Sequence, residues 1–85
     1  MQSIEEKVIR YILENFLFTS DPESISKDTS FLEKGIIDST GILEIVGYLE
    51  ETFDIKVEDS EVIPDNLDSI NKISAYVARK KAVVT

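Results

Sequence analysis

The sequence predicts an all-α fold, a four-helix bundle with three long helices, one short one and a long first connection. Three observations predict it. Apolar residues recur at three- and four-residue spacing in three separate stretches, the period of a helix with one buried face. Capping residues stand in front of those stretches. The one segment that alternates like a strand, Asp54-Ile55-Lys56-Val57, has no second alternating run to pair with and reads as a loop with two apolar anchors. At 85 residues the chain reads as one domain, with a core from about residue 3 to 81 and a frayed tail at 82–85.

The first helix opens with a capping box, Ser3 and Glu6 at S-x-x-E spacing. Ile4, Val8, Tyr11, Ile12 and Phe16 follow on one side, Ile9 and Leu13 fall outside that stripe, and the pattern ends near Phe18. Residues 19–37 form a long connection. Ser20-Asp21-Pro22 and Lys27-Asp28-Thr29-Ser30 carry turn chemistry, and Gly35 interrupts any helix. Ile25, Phe31, Leu32, Ile36 and Ile37 punctuate it, so the loop is expected to pack down on the bundle. Ordered loops of this length are often functional.

The second helix is expected from Ser39 to Phe53, with Asp38 as N-cap. Ile42, Ile45, Val46, Leu49 and Phe53 fall in one sector, its core face. The opposite face carries Thr40, Leu43, Glu44, Gly47 and Glu51: acidic, small in the middle, flanked by one apolar residue. Pro64 suits the first turn of a short helix around residues 61–67, with Leu67 inward. The last helix starts after Asp68 or Ser69, either of which can cap it. Ile70, Ile73 and Val77 form its core stripe, and Arg79, Lys80 and Lys81 in its last turn complement the helix dipole.

The composition excludes several chemistries. With no cysteine there are no disulfides, thiolate metal sites or thiol nucleophiles, and with no histidine there is no Ser-His-Asp hydrolysis, His-ligated zinc or histidine base. Glu58-Asp59-Ser60-Glu61 lacks the spaced oxygens and turn glycine of an EF-hand. A bundle of this size offers little cleft, so an enzyme is not expected. No apolar run is long enough for a membrane span, and Met1 to Glu6 lacks the basic-then-apolar pattern of a secretion signal. A cytoplasmic monomer is the expectation.

The net charge is −8, unevenly spread. Residues 38–68 hold ten acids and one base, Lys56, whereas residues 69–85 hold four bases and no acid. So acidic a middle repels nucleic acid and anionic lipid, whose phosphates need Lys and Arg. It attracts basic proteins and speeds their encounter.

In Gly35-Ile36-Ile37-Asp38-Ser39-Thr40, a serine follows a long loop and opens an acidic amphipathic helix. Its hydroxyl lies near the free amides of a helix N-terminus, which favour an attached phosphate. Asp38 can cap the helix and could help hold a divalent cation presented by a modifying enzyme. For the dipeptide alone, ordinary capping chemistry is the favoured account.

Longer stretches carry a resemblance. Ser30-Phe31-Leu32-Glu33-Lys34-Gly35-Ile36-Ile37-Asp38-Ser39, Ile45-Val46-Gly47-Tyr48-Leu49-Glu50-Glu51-Thr52-Phe53-Asp54, Ile63-Pro64-Asp65 and Ile70-Asn71-Lys72-Ile73 together resemble the acyl and peptidyl carrier proteins. The likeness runs from Ile4 to about Lys81, since Ile4-Glu5-Glu6-Lys7-Val8 looks like the family's first helix. It implies a non-catalytic carrier with 4′-phosphopantetheine attached to Ser39, beside Asp38. The arm would carry acyl or aminoacyl thioesters between enzymes of a fatty acid, polyketide or nonribosomal peptide type pathway. It implies that Thr40, Leu43, Glu44, Gly47 and Glu51 form the partner face. The implied partners are a phosphopantetheinyl transferase and acyl-loading ligases or synthases with basic docking surfaces. Thr40 and Gly41 stand where the family's frequent pattern has leucine and, in fatty acid synthesis, an acid. That points toward a free-standing carrier of a specialised pathway. The competing reading is a carrier-like acidic binding module that is never modified.

Overall fold

The Ser3 hydroxyl accepts the Glu6 amide at 3.1 Å while Glu6 Oε1 accepts the Ser3 amide at 3.3 Å, so the capping box forms as its spacing predicts. The structure is a computed structural model that describes residues 3–19 and 21–82. Four helices form in it: α1 (Ile4–Ile12), α2 (Ser39–Phe53), α3 (Pro64–Leu67) and α4 (Ile70–Ala82). The last residues of the expected frayed tail, 83–85, lie outside the described residues.

The first helix differs from expectation at its end. After Ile12 the chain continues as a π-helical turn over Leu13–Leu17, and Phe18 closes it in the left-handed region at φ 53°, its amide donating to the Leu13 carbonyl. A π turn holds more residues than an α turn, so it rotates the side chains beyond it. Leu13, outside the predicted stripe, is buried. It joins Val8 and Ile12 in the core, and α1 meets both α2 and α4. Tyr11 stacks on Tyr48 of α2 with ring centroids 3.9 Å apart, and α1 also packs along α4.

The long connection packs down through Ile25, Phe31 and Ile37, all buried. Leu32 departs from that pattern and stays exposed. Gly35 turns the chain at φ +69°, a conformation a side chain would resist. α2 has its predicted bounds and its predicted cap, with Asp38 Oδ1 accepting the Gly41 amide at 2.9 Å. Ile45, Leu49 and Phe53 are buried; Ile42 and Val46 are only partly covered.

No strand forms among the described residues, and Val57 and Ile55 anchor the loop after α2. The short helix expected around 61–67 is split into a 3₁₀ turn at Asp59–Glu61 and α3. Pro64 is the cause: it disfavours helical backbone in the residue before it, and Ile63 is extended at φ −133°, ψ 155°. Leu67 is fully buried as expected. Of the two candidate caps for α4, Ser69 takes the role, its hydroxyl accepting the Lys72 amide at 3.1 Å. Ile70, Ile73 and Val77 are fully buried, joined by Tyr76, which the predicted stripe omitted. The bases of the last turn tie elements together. Arg79 donates to Asn66, Lys80 pairs with Glu61 at 2.8 Å, and Lys81 donates to the carbonyl of Phe53 at the end of α2.

Candidate functional site

Ser39 is the first residue of α2 and is exposed, as are Asp38 and Thr40 on either side. Asp38 uses its side chain on the Gly41 amide and its carbonyl on the Ile42 amide at 3.0 Å. The Ser39 and Thr40 amides have no acceptor among the described residues, as first-turn amides do. The next residue, Gly41, is buried. A Cβ there would lie 2.5 Å from Ile37 Cγ2 and 3.0 Å from Phe16 Cε1. This turn therefore sits tightly on the loop before it and on the end of the π turn.

A cleft of ≈ 330 Å³ lies against Ser39, walled by Leu32 of the loop, Ile42 and Leu43 of α2, and Val62, Ile63 and Leu67 around α3. Sequence reasoning missed it, having expected little cleft. Leu32, Leu43 and Ile63 are three of the four large apolar residues exposed among the described residues, so exposed apolar surface concentrates here. The available signal was Leu43 on an otherwise acidic face; Leu32 and Ile63 carried none.

The predicted face holds together. Thr40, Leu43, Glu44, Gly47 and Glu51 are all exposed on α2. Leu43 borders the cleft, and the Glu44 carbonyl accepts the Tyr11 hydroxyl at 3.3 Å, so the face runs from α3 to α1. Neither Glu44 nor Glu51 has an ion-pair partner among the described residues. The acidity of residues 38–68 is less free than their count suggests. Asp68 is buried, Glu50 accepts the Val57 amide at 3.0 Å, and Glu61 binds Lys80. The Lys80 hydrogen bond holds the Glu61 carboxyl below the usual carboxylate range. Burial, with Glu61 as hydrogen-bond partner, pushes the Tyr76 phenol up to about 12. No group of three or more metal-binding side chains forms among the described residues.

The family model described as phosphopantetheine attachment site matches residues 7–77. The chain belongs to this family. It is also similar to a D-alanyl carrier protein of Streptococcus uberis, 37% identical over 71 residues, covering 84% of this chain and 86% of that one. A D-alanyl carrier protein of Streptococcus pyogenes serotype M5 is 39% identical over the same length and shares. The protein is thus a carrier rather than a catalyst, and its cofactor is covalently attached 4′-phosphopantetheine. The residues of the carrier fit such an arm. Ser39 offers an exposed hydroxyl, and the cleft beside it is walled mainly by apolar side chains. In the described residues no helix is long and apolar enough to cross a membrane.

Proposed function

We propose that Ser39 bears the arm and that the cargo is an aminoacyl group, D-alanyl first, held as a thioester. The observation that carries this reading is the exposed Ser39 hydroxyl on the first turn of α2, in a chain of the phosphopantetheine-attachment family. Ser39 Oγ supplies the ester oxygen of the phosphodiester and loses its proton, while the adenosine bisphosphate half of coenzyme A leaves. The free amides of Ser39 and Thr40 favour the new phosphate charge. Asp38 caps the helix and can contribute an oxygen to a cation brought by the transferase. The arm supplies a thiol, which this cysteine-free chain lacks. The acidic face with Glu44 and Glu51 docks the transferase and an adenylating ligase through their basic surfaces. The relatives' names support the aminoacyl branch of the expectation and lend none to fatty acid, polyketide or nonribosomal peptide assembly. The carrier works as a monomer in the cytoplasm.

Intact mass of the protein purified from its native cells tests the cargo. The expected species are the chain with the arm, and the chain with the arm plus one alanyl group. A long acyl chain on the arm would replace the aminoacyl reading, and bare chain alone would favour the unmodified binding module.

A further inference from the structure

Asp68, between α3 and α4, is 7% exposed and has no Lys or Arg within ion-pair distance among the described residues. Burying a carboxylate without a cation is unfavourable unless hydrogen bonds replace its water. Both oxygens are used, and by the same segment. The Ser30 hydroxyl donates to Oδ2, and the Leu32 amide donates to Oδ1 at 2.9 Å. The Asp68 carbonyl accepts the Phe31 amide at 2.8 Å, so three consecutive residues of the loop are bound to one aspartate. The chain of contacts then runs toward Ser39. The Phe31 carbonyl accepts the Ile36 amide at 2.9 Å and the Ile37 amide at 3.4 Å. Ile37 is buried in contact range of Gly41, and Asp38 follows it as the cap of α2. Leu32 and Ser39 line the same cleft.

We propose that Asp68 is a positioning residue for the modification of Ser39, holding the Ser30–Leu32 segment so that the first turn of α2 and the cleft wall are presented to the transferase in one fixed arrangement. This rests on the reading of Ser39 as the attachment residue. An apolar residue could fill the α3–α4 junction, but it would leave the Ser30 hydroxyl and the Leu32 amide without the partner they share. Asparagine can do most of the same work. Its carbonyl accepts from Leu32, and its amide donates to the Ser30 oxygen.

The test is the rate of arm transfer from coenzyme A, by a broad-specificity transferase with magnesium, well below every variant's melting temperature. Asp68→Ala is expected to lower kcat/KM by about tenfold, since two hydrogen bonds to a buried group are lost together. Asp68→Asn is expected to restore most of the rate, and Ser30→Ala to lie between. Val77→Ala, in the core of α4, serves as a variant destabilised for packing reasons alone and is expected to keep the wild-type rate. Wild-type transfer rates in folded Asp68→Ala overturn the proposal. So does an equal loss in Val77→Ala at similar melting temperature, which would make the role merely structural. If Asp68→Ala does not fold, Ser30→Ala decides: a folded variant with the wild-type rate overturns it. A wild-type protein that accepts no arm overturns the Ser39 reading itself, and is distinguished by that result.

Discussion

Gly41 and Ile37 meet so closely that a single added Cβ at position 41 would stand 2.5 Å from Ile37 Cγ2. In the sequence this glycine is a departure, placed where related carriers of fatty acid synthesis have an acid and where helix propensity disfavours it. The structure gives it a steric reason: with α2 capped on Asp38 and closed on Ile37 and Phe16, a side chain at position 41 would force Ile37 or the first turn to shift.

Gly41→Glu is therefore expected to destabilise the carrier by roughly 1–3 kcal/mol through overpacking, more than the fraction of a kcal/mol that better helix propensity returns. A urea or thermal melt checks it. A midpoint equal to or above wild type would mean that the first turn of α2 has room to shift.

Glu44→Lys with Glu51→Lys reverses charge on exposed residues that hold no ion pair in the described chain. The fold is expected to change by about 0.5 kcal/mol or less per site. Arm transfer and loading by partner enzymes should fall at low salt, and the difference from wild type should narrow as salt screens the surface. Equal rates at low salt with each partner would remove the acidic face from the account.

The Glu61, Lys80 and Tyr76 cluster predicts a two-sided pH dependence. The Glu61 carboxyl titrates lower in the folded carrier, chiefly through its hydrogen bond to Lys80. It binds protons more readily when unfolded, so its stabilisation is present above the unfolded carboxylate range and is lost as pH falls through the folded value. Tyr76 behaves oppositely. Its folded value is pushed from 10.0 up to about 12, by burial first and Glu61 second. Its stabilisation is complete below the unfolded value and is lost as pH rises from there through about 12. Melting temperature across pH, with Glu61→Gln as the comparison, measures both arms. The variant should lose part of the acid-side slope; an unchanged slope would contradict the pairing.

What the sequence makes legible here is what local chemistry decides. The bounds of α2, its Asp38 cap and the exposure of Thr40, Leu43, Glu44, Gly47 and Glu51 follow from period and capping within one segment, and all appear in the structure. Asp68 shows the opposite case. Its partners lie 36 and 38 residues away, and nothing near it in the sequence distinguishes it from Ser69 as a cap. The stripe of Ile70, Ile73 and Val77 omits Tyr76, whose polar end is satisfied by Glu61 from a distant turn. The cleft is made by Leu32, Leu43 and Ile63 from three segments, so it has no sequence pattern of its own. The π turn after Ile12 likewise has no local signature in an otherwise regular helical stretch.

The most direct measurement is the mass gained by wild type and Ser39→Ala on incubation with a broad-specificity phosphopantetheinyl transferase, magnesium and coenzyme A. Ser30 and Ser69 are poor controls, since one binds Asp68 and the other caps α4. Ser60, exposed in the Asp59–Glu61 turn, and Thr40 are better ones. Wild type and Ser60→Ala are expected to gain one arm each, and Thr40→Ala one arm at a reduced rate. Ser39→Ala is expected to gain none while keeping its fold, because Asp38 still caps the helix and the lost hydroxyl is exposed. An arm on folded Ser39→Ala, or none on folded wild type with several transferases, would contradict the account.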